Sequence, residues 1–127
     1  MSLIVTIALA LVGLFVLLQV WILWQSRRLQ GLPVPASDLT RRLDPSRPAL
    51  LYFHSPRCGA CRGMTPIIAE LGRSNSNVVS IDVSRDMEAA NDYNIRATPT
   101  LVVLRHEAIA KVLVGAQSQR VIESLLN

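Results

Sequence analysis

Phe53-His54-Ser55-Pro56-Arg57-Cys58-Gly59-Ala60-Cys61-Arg62 holds both cysteines of this 127-residue chain, spaced Cys-x-x-Cys. A short apolar run, Ala49 to Phe53, leads into the stretch. Leading out, Cys61, Met64, Ile68 and Leu71 recur at spacings of 3, 4 and 3, which places them on one face of a helix over Gly59–Leu71. The stretch therefore reads as strand, tight turn and helix start, with the first sulfur at the turn.

A thiol reacts as its thiolate, and a free cysteine with a pKa of about 8.5 holds little of it at neutral pH. At a helix N-terminus, unpaired backbone N–H groups and the positive end of the helix dipole favour the anion. Arg57 and Arg62 flank the pair and act in the same direction. Cys58 is accordingly the expected nucleophile. Cys61, one helical turn deeper, is placed to attack a mixed disulfide and release the partner.

The spacing admits other chemistry. A structural zinc site wants four ligands, and only His54 and His106, far apart in sequence, remain as nitrogen donors. A Cu(I) site using both sulfurs, with Met64 as a third ligand, suits soft donors. Two inert structural cysteines have no reason to sit at a helix start beside two arginines. The expectation is a redox pair with no metal.

Outward from this stretch, the chain divides in three. Leu3 to Trp24 is 22 residues without a charge, enough at about 1.5 Å per residue to span a hydrocarbon core of about 30 Å. Trp21 and Trp24 fall at its end, where amphipathic rings favour the interface, and Arg27 and Arg28 follow. A cleaved signal peptide fits less well: Met1-Ser2 lacks a basic residue, the run is too long, and the cleavage-like Val34-Pro35-Ala36 lies far beyond it. A buried core helix would show a polar face, and this run has none. Residues 1–24 are read as a transmembrane anchor, 25–48 as a basic linker broken by Pro33, Pro35, Pro45 and Pro48, and 49–127 as the folded domain. Within the linker, Ser37 to Leu43 has the pattern of a short helix.

The linker carries five arginines against two aspartates, whereas the domain carries eight basic and seven acidic residues. The chain's basicity is thus juxtamembrane and points to anionic headgroups of the bilayer, or to a topology signal, rather than to nucleic acid. By the positive-inside rule the domain is expected on the cytoplasmic side, the extracytoplasmic side being the alternative.

From Ala49 the elements run β-α-β-α-β-β-α. Strands are expected at Ala49–His54, Asn77–Val83, Thr100–Leu104 and Ile109–Val114. Helices follow at Gly59–Leu71, kinked by Pro66 and stopped at Gly72, at Arg85–Tyr93, ended by Asn94, and after an N-cap at Ser118. The first two strands join through a helix and should be parallel, and the last two form a hairpin. A mixed four-stranded sheet with helices on both faces results, and Cys58 sits where a strand end meets a helix N-terminus.

This pattern resembles the thioredoxin family over residues 49–127. The carriers are Phe53–Arg62, Pro66, the strand Val79–Val83, the loop Asn94-Ile95-Arg96-Ala97-Thr98-Pro99-Thr100, and Val114-Gly115-Ala116-Gln117-Ser118 before the last helix. The resemblance implies a protein thiol–disulfide oxidoreductase whose partners are protein thiols and disulfides. It implies no bound cofactor, because the Cys58–Cys61 pair carries the two electrons. It also implies that Pro99 is cis beside the sulfurs, that Thr98 offers backbone hydrogen bonds to a bound chain, and that Arg57, Gly59 and Ala60 border the docking surface.

Three departures stand out. Tyr52 replaces the family's buried aspartate, so proton transfer at Cys61 falls to a water, to His54, or to the tyrosine itself. Arg57 and Ala60 stand where thioredoxin has tryptophan and proline, and Arg57 is expected to make the disulfide more oxidising. The family's first strand and helix are absent or shrunk into the linker, which leaves a sheet edge for the linker or a partner to cover. The competing class is an accessory or assembly subunit of a membrane complex, using the same fold for docking or for Cu(I) handling.

Overall fold

The structure, a computed structural model, describes residues 2–27, 31–35 and 37–127. Arg28, in the basic run after the apolar segment, and Ala36, in the cleavage-like tripeptide, lie outside the described residues. Helix α1 spans Leu3–Arg27. Its segment Leu3–Trp24 is long and apolar enough to cross a membrane, and none of it is buried. A core helix of a soluble domain would be covered, so that reading is set aside.

Helix α2, Asp38–Arg41, is a single turn within the expected Ser37–Leu43 segment. It is held by a reciprocal cap: the Thr40 N–H donates to Ser37 Oγ at 3.4 Å, and the Ser37 N–H donates to Thr40 Oγ1 at 3.0 Å. Val34, Leu39 and Leu43 pack against buried residues of the domain, so this part of the linker lies on the protein.

The domain follows as β1 (Ala49–His54), α3 (Cys61–Ser74), β2 (Val78–Asp82), α4 (Met87–Asp92), β3 (Thr100–Arg105), β4 (Ala108–Val114) and α5 (Gln119–Ser124). The sheet order is β2-β1-β3-β4. β1 is parallel to β2 and antiparallel to β3, and β3 is antiparallel to β4. Alternation along β1 divides the core. Leu50 and Tyr52 meet Cys61, Met64 and Ile68 of α3, together with Ile122 and Leu125. Ala49, Leu51 and Phe53 meet Ala89 of α4 and Tyr93. A strand covered on both faces has no solvent side, which is why Ala49–Phe53 reads as an unbroken apolar run.

Two helices differ in their bounds from the sequence reading. Helix α3 begins at Cys61 rather than Gly59, and it continues through Gly72 to Ser74. Gly72 lies inside the helix instead of ending it, and a Cβ there would make only an ordinary contact, 3.5 Å from the Val78 carbonyl. The chain leaves the helix at Asn75, in extended conformation, whose N–H still bonds to the Leu71 carbonyl. Helix α4 starts later than Arg85, because Asp86 caps it by accepting the Ala89 N–H at 3.0 Å. Asn94 follows at φ 52°, the left-handed conformation expected of it.

The linker covers one edge of the sheet. The Gly31 N–H donates to the Ile109 carbonyl at 2.7 Å, the Ile109 N–H to Leu32 at 3.0 Å, and the Val34 N–H to Glu107 at 3.2 Å. No strand pairs with the outer side of β2 among the described residues. Asn77, fully buried just before β2, ties the linker down: its Oδ1 accepts the Asp44 N–H at 2.9 Å, and its Nδ2 reaches the carbonyls of Asp44 at 2.9 Å and Arg47 at 3.3 Å.

Candidate active site

Strand β1 delivers the chain to the top of the sheet, where a turn closes with the Cys58 N–H donating to the Ser55 carbonyl at 3.2 Å. Cys58 and Cys61 are joined as a disulfide, with Cα atoms 5.3 Å apart. Because α3 begins at Cys61, its first N–H has no intrahelical partner. That N–H instead points at the Cys58 sulfur, 3.2 Å away. The helix terminus thus supplies a donor where a thiolate would carry its charge.

The two sulfurs sit in unequal surroundings. Cys58 is half-buried at the surface of the turn, whereas Cys61 is only 3% exposed and belongs to the core. Arg57, Gly59 and Ala60 are exposed around Cys58. Arg57 has no ion-pair partner among the described residues.

Below Cys61 lies Tyr52, fully buried on β1. Its hydroxyl donates to the Cys61 carbonyl at 3.1 Å and lies 3.0 Å from Thr65 Oγ1. Burial pushes the phenol above its ordinary pKa of 10.0, with the Thr65 hydrogen bond opposing. At neutral pH it is therefore a neutral hydroxyl. The His54 ring stacks on Tyr52 with centroids 5.1 Å apart, on the face of β1 that meets α3. His54 also borders Asp82, whose carboxyl is held below the usual range first by the Ser84 hydroxyl at 2.6 Å, then by the Ser84 N–H, with smaller help from His54 and Arg85.

The loop before β3 closes the other side. The Thr98–Pro99 peptide bond is cis, Pro99 is buried, and Thr98 Oγ1 lies 3.4 Å from Ser55 Oγ. The Pro99 carbonyl accepts the Gly115 N–H at 2.8 Å, which sets the turn after β4 beside this loop. Gly115 has φ 96°, a conformation costly for residues with a side chain. Tyr52, His54, Arg57, Cys58, Gly59, Ala60, Cys61, Thr98 and Pro99 thus come from two stretches brought to one end of the sheet. His106 does not join them: it sits in the β3–β4 turn at the opposite end, which separates the two nitrogen donors a zinc site would need.

Sequence reasoning missed three neighbours of the pair and one buried anchor, Asn77, at the far end of the sheet. Ser55 and Thr65 join the network through hydroxyls that lie beside the quoted cysteines but carry no motif. Exposed Val114 follows only from the pairing of Thr100 with Val114. Asn77 reads as an ordinary residue at a strand start, and nothing local marks its partners 29 to 33 positions away.

A surface disulfide with one accessible and one buried sulfur, at the N-terminus of a helix rising from a mixed sheet, defines a thiol–disulfide oxidoreductase. Residues 36–127 match the family model described as Thioredoxin. The thioredoxin of Bacillus subtilis (strain 168) is 30% identical over 98 residues, covering 74% of this chain and 94% of that one. The thioredoxin of Porphyra purpurea is 35% identical over 83 residues, covering 63% and 78%. The X-ray structure of Fasciola hepatica thioredoxin superposes with a TM-score of 0.55 at 27% identity, over 63% of this chain and 79% of that one. This chain belongs to the thioredoxin family, and it is a thiol–disulfide oxidoreductase acting on protein thiols.

Proposed function

We propose that this protein is a membrane-anchored thioredoxin-family oxidoreductase in which Cys58 attacks and Cys61 resolves. The observation that carries the assignment of roles is the contrast in burial: an incoming sulfur reaches Cys58, while Cys61 is screened by the core. In the reducing direction, the Cys58 thiolate attacks one sulfur of a partner disulfide. A Cys58–partner bond forms, and the partner's other sulfur leaves as a thiolate and takes up a proton. Cys61, losing its proton, then attacks the Cys58 sulfur, displacing the partner's second thiolate. Two electrons pass to the partner, and the Cys58–Cys61 disulfide remains. A dithiol reductant restores the pair, and no bound cofactor enters.

Supporting roles follow from the contacts. Thr98 and Pro99 form one wall of the docking surface, and Arg57, Gly59 and Ala60 form the other. His54, stacked on Tyr52, is the proposed proton acceptor for Cys61, and the Tyr52 hydroxyl holds the helix turn that carries it. The uncharged, exposed Leu3–Trp24 helix supports a single-pass anchor, with residues 25–48 as a linker whose later part lies on the domain and 49–127 as the catalytic domain. By charge bias the domain faces the cytoplasm, and its partners are proteins at or near the bilayer, including subunits of membrane complexes.

Trapping tests the chemistry: in membranes from expressing cells, Cys61→Ser accumulates mixed disulfides with partner proteins and Cys58→Ser accumulates none. Partner capture by Cys58→Ser instead would reverse the assignment. Full function with both cysteines replaced would make the chain a docking subunit. Alkaline carbonate extraction tests the anchor, and accessibility of a reporter at the C-terminus to impermeant reagent tests sidedness.

A further inference from the structure

The segments next to the disulfide carry no acid; Glu70 lies two turns along α3, paired with Arg73. Residues 53–69, 93–106 and 108–122 contain no Asp or Glu, yet they carry Arg57, Arg62 and Arg96. All three are exposed. Arg57 borders Cys58, and Arg62 stands next to Cys61 in the first turn of α3. Arg96 lies on the loop that the Ser55–Thr98 contact draws against the Cys58 turn, where its Nε donates to Asn94 Oδ1 at 2.9 Å. Arg57, Arg62 and Arg96 form no ion pair among the described residues, whereas Arg41, Arg47, Arg73 and Arg85 each pair with a carboxylate three residues away. Asp82, across from His54 at this end of the sheet, is hydrogen-bonded by Ser84 and paired with Arg85 on the β2 side. Beside Pro99, Val114 is 61% exposed and adds an apolar contact.

Three exposed arginines without an ion pair, on the segments that flank a reactive sulfur, make an electrostatic funnel. Such a field raises association rates for oppositely charged partners and suppresses like-charged ones. We propose that the preferred partner of this oxidoreductase presents its cysteine or disulfide in an acidic segment, with Asp or Glu within a few residues of the reacting sulfur. The inference rests on Cys58 being the nucleophile.

The test uses the full chain, reduced and desalted in nonionic micelles, in single turnover. It reacts with three disulfide peptides identical except for flanking Asp, Ser or Lys, and with uncharged hydroxyethyl disulfide. Formation of the Cys58–Cys61 disulfide is read by acid quench and thiol alkylation. Each peptide rate is divided by that of dithiothreitol with the same peptide, which removes intrinsic differences in disulfide reactivity. At low salt the Asp peptide is expected to react about tenfold faster than the Lys peptide. At 1 M salt, where the screening length falls to about 3 Å, the ratio should approach one. Arg62→Glu combined with Arg96→Glu should reverse the order, with hydroxyethyl disulfide normalising for any loss of active protein. Equal rates for the three peptides at low salt, with hydroxyethyl disulfide turned over normally, would overturn the inference and leave the oxidoreductase reading standing. No reaction with any disulfide would overturn both.

Discussion

The Tyr52 hydroxyl donates to the backbone carbonyl of Cys61 at 3.1 Å, joining the central strand to the helix turn that carries the buried sulfur. The Thr65 hydroxyl donates to the same carbonyl at 2.9 Å. Removing the phenolic oxygen leaves that carbonyl partnered but loosens the turn. Tyr52→Phe is expected to cost about 1 kcal/mol in urea unfolding of the full chain. It should also slow the resolving step more than the attack, read as longer-lived mixed disulfide. A variant whose mixed disulfide decays as in the wild type would show that the hydroxyl has no part in resolution.

Asn77 ties the linker to the sheet through its buried carboxamide, as described above for Asp44 and Arg47. Asn77→Ala removes the partner of several part-buried backbone groups at once. A loss of about 2–4 kcal/mol is expected, since each such group costs about 1–3 kcal/mol and part of the segment can rotate out to water. Faster proteolysis confined to residues 44–48 would mark local detachment of the clasp.

Tyr93 is 3% exposed, its hydroxyl has no hydrogen-bond partner among the described residues, and burial pushes its pKa up from 10.0 to about 12, with Asp92 adding to the shift. The folded state then holds the proton more tightly than the unfolded chain. The stability this represents is complete below pH 10 and is lost as pH rises toward 12. Tyr93→Phe should flatten that alkaline limb while changing stability at pH 7 by less than about 1 kcal/mol. An unchanged alkaline limb in the variant would assign the pH dependence to other groups, Tyr52 first among them.

Arg57 is the charge nearest Cys58 in sequence and is free of a competing carboxylate. Its presence favours the thiolate and hence the reduced pair. Arg57→Ala is expected to move the reduction potential to a more negative value by about 10–20 mV, since 30 mV corresponds to about 1.4 kcal/mol and an exposed charge contributes less than that. Equilibration against glutathione with an alkylation readout measures the shift, and a potential that does not move would remove Arg57 from the tuning of the pair.

Two glycines should respond in opposite directions. Gly63 is exposed within α3, and a Cβ there meets nothing within 4 Å, so Gly63→Ala should stabilise the protein by about 0.5–1 kcal/mol through helix propensity. Gly115 also has open space but sits at φ 96°, so Gly115→Ala should destabilise by about 1 kcal/mol or more through backbone strain. Thermal unfolding of both variants decides between space and conformation as the controlling term.

Much of this protein is local and was therefore legible along the chain. The apolar run of β1, the period of α3, the Ser118 cap and the left-handed Asn94 depend on residues a few positions apart. So does the Cys-x-x-Cys turn, whose closure needs only a helix start between two neighbouring sulfurs. The uncharged length of Leu3–Trp24 is likewise a property of composition. What the sequence could not determine depends on groups distant along the chain. Gly72 reads as a helix stop, yet the helix runs through it to Ser74 and ends at extended Asn75, next to the start of β2. The linker reads as one of two candidates to cover an open sheet edge, but that it takes the edge of β4 and is held by Asn77 is not local, because buried amides and open strand edges take hydrogen bonds wherever the fold offers them. The spacing that sets Cys61 on the apolar face of α3 already made the two cysteines unequal, but the sealing of Cys61 to 3% exposure was decided by tertiary structure, since burial is set by what packs around a sulfur.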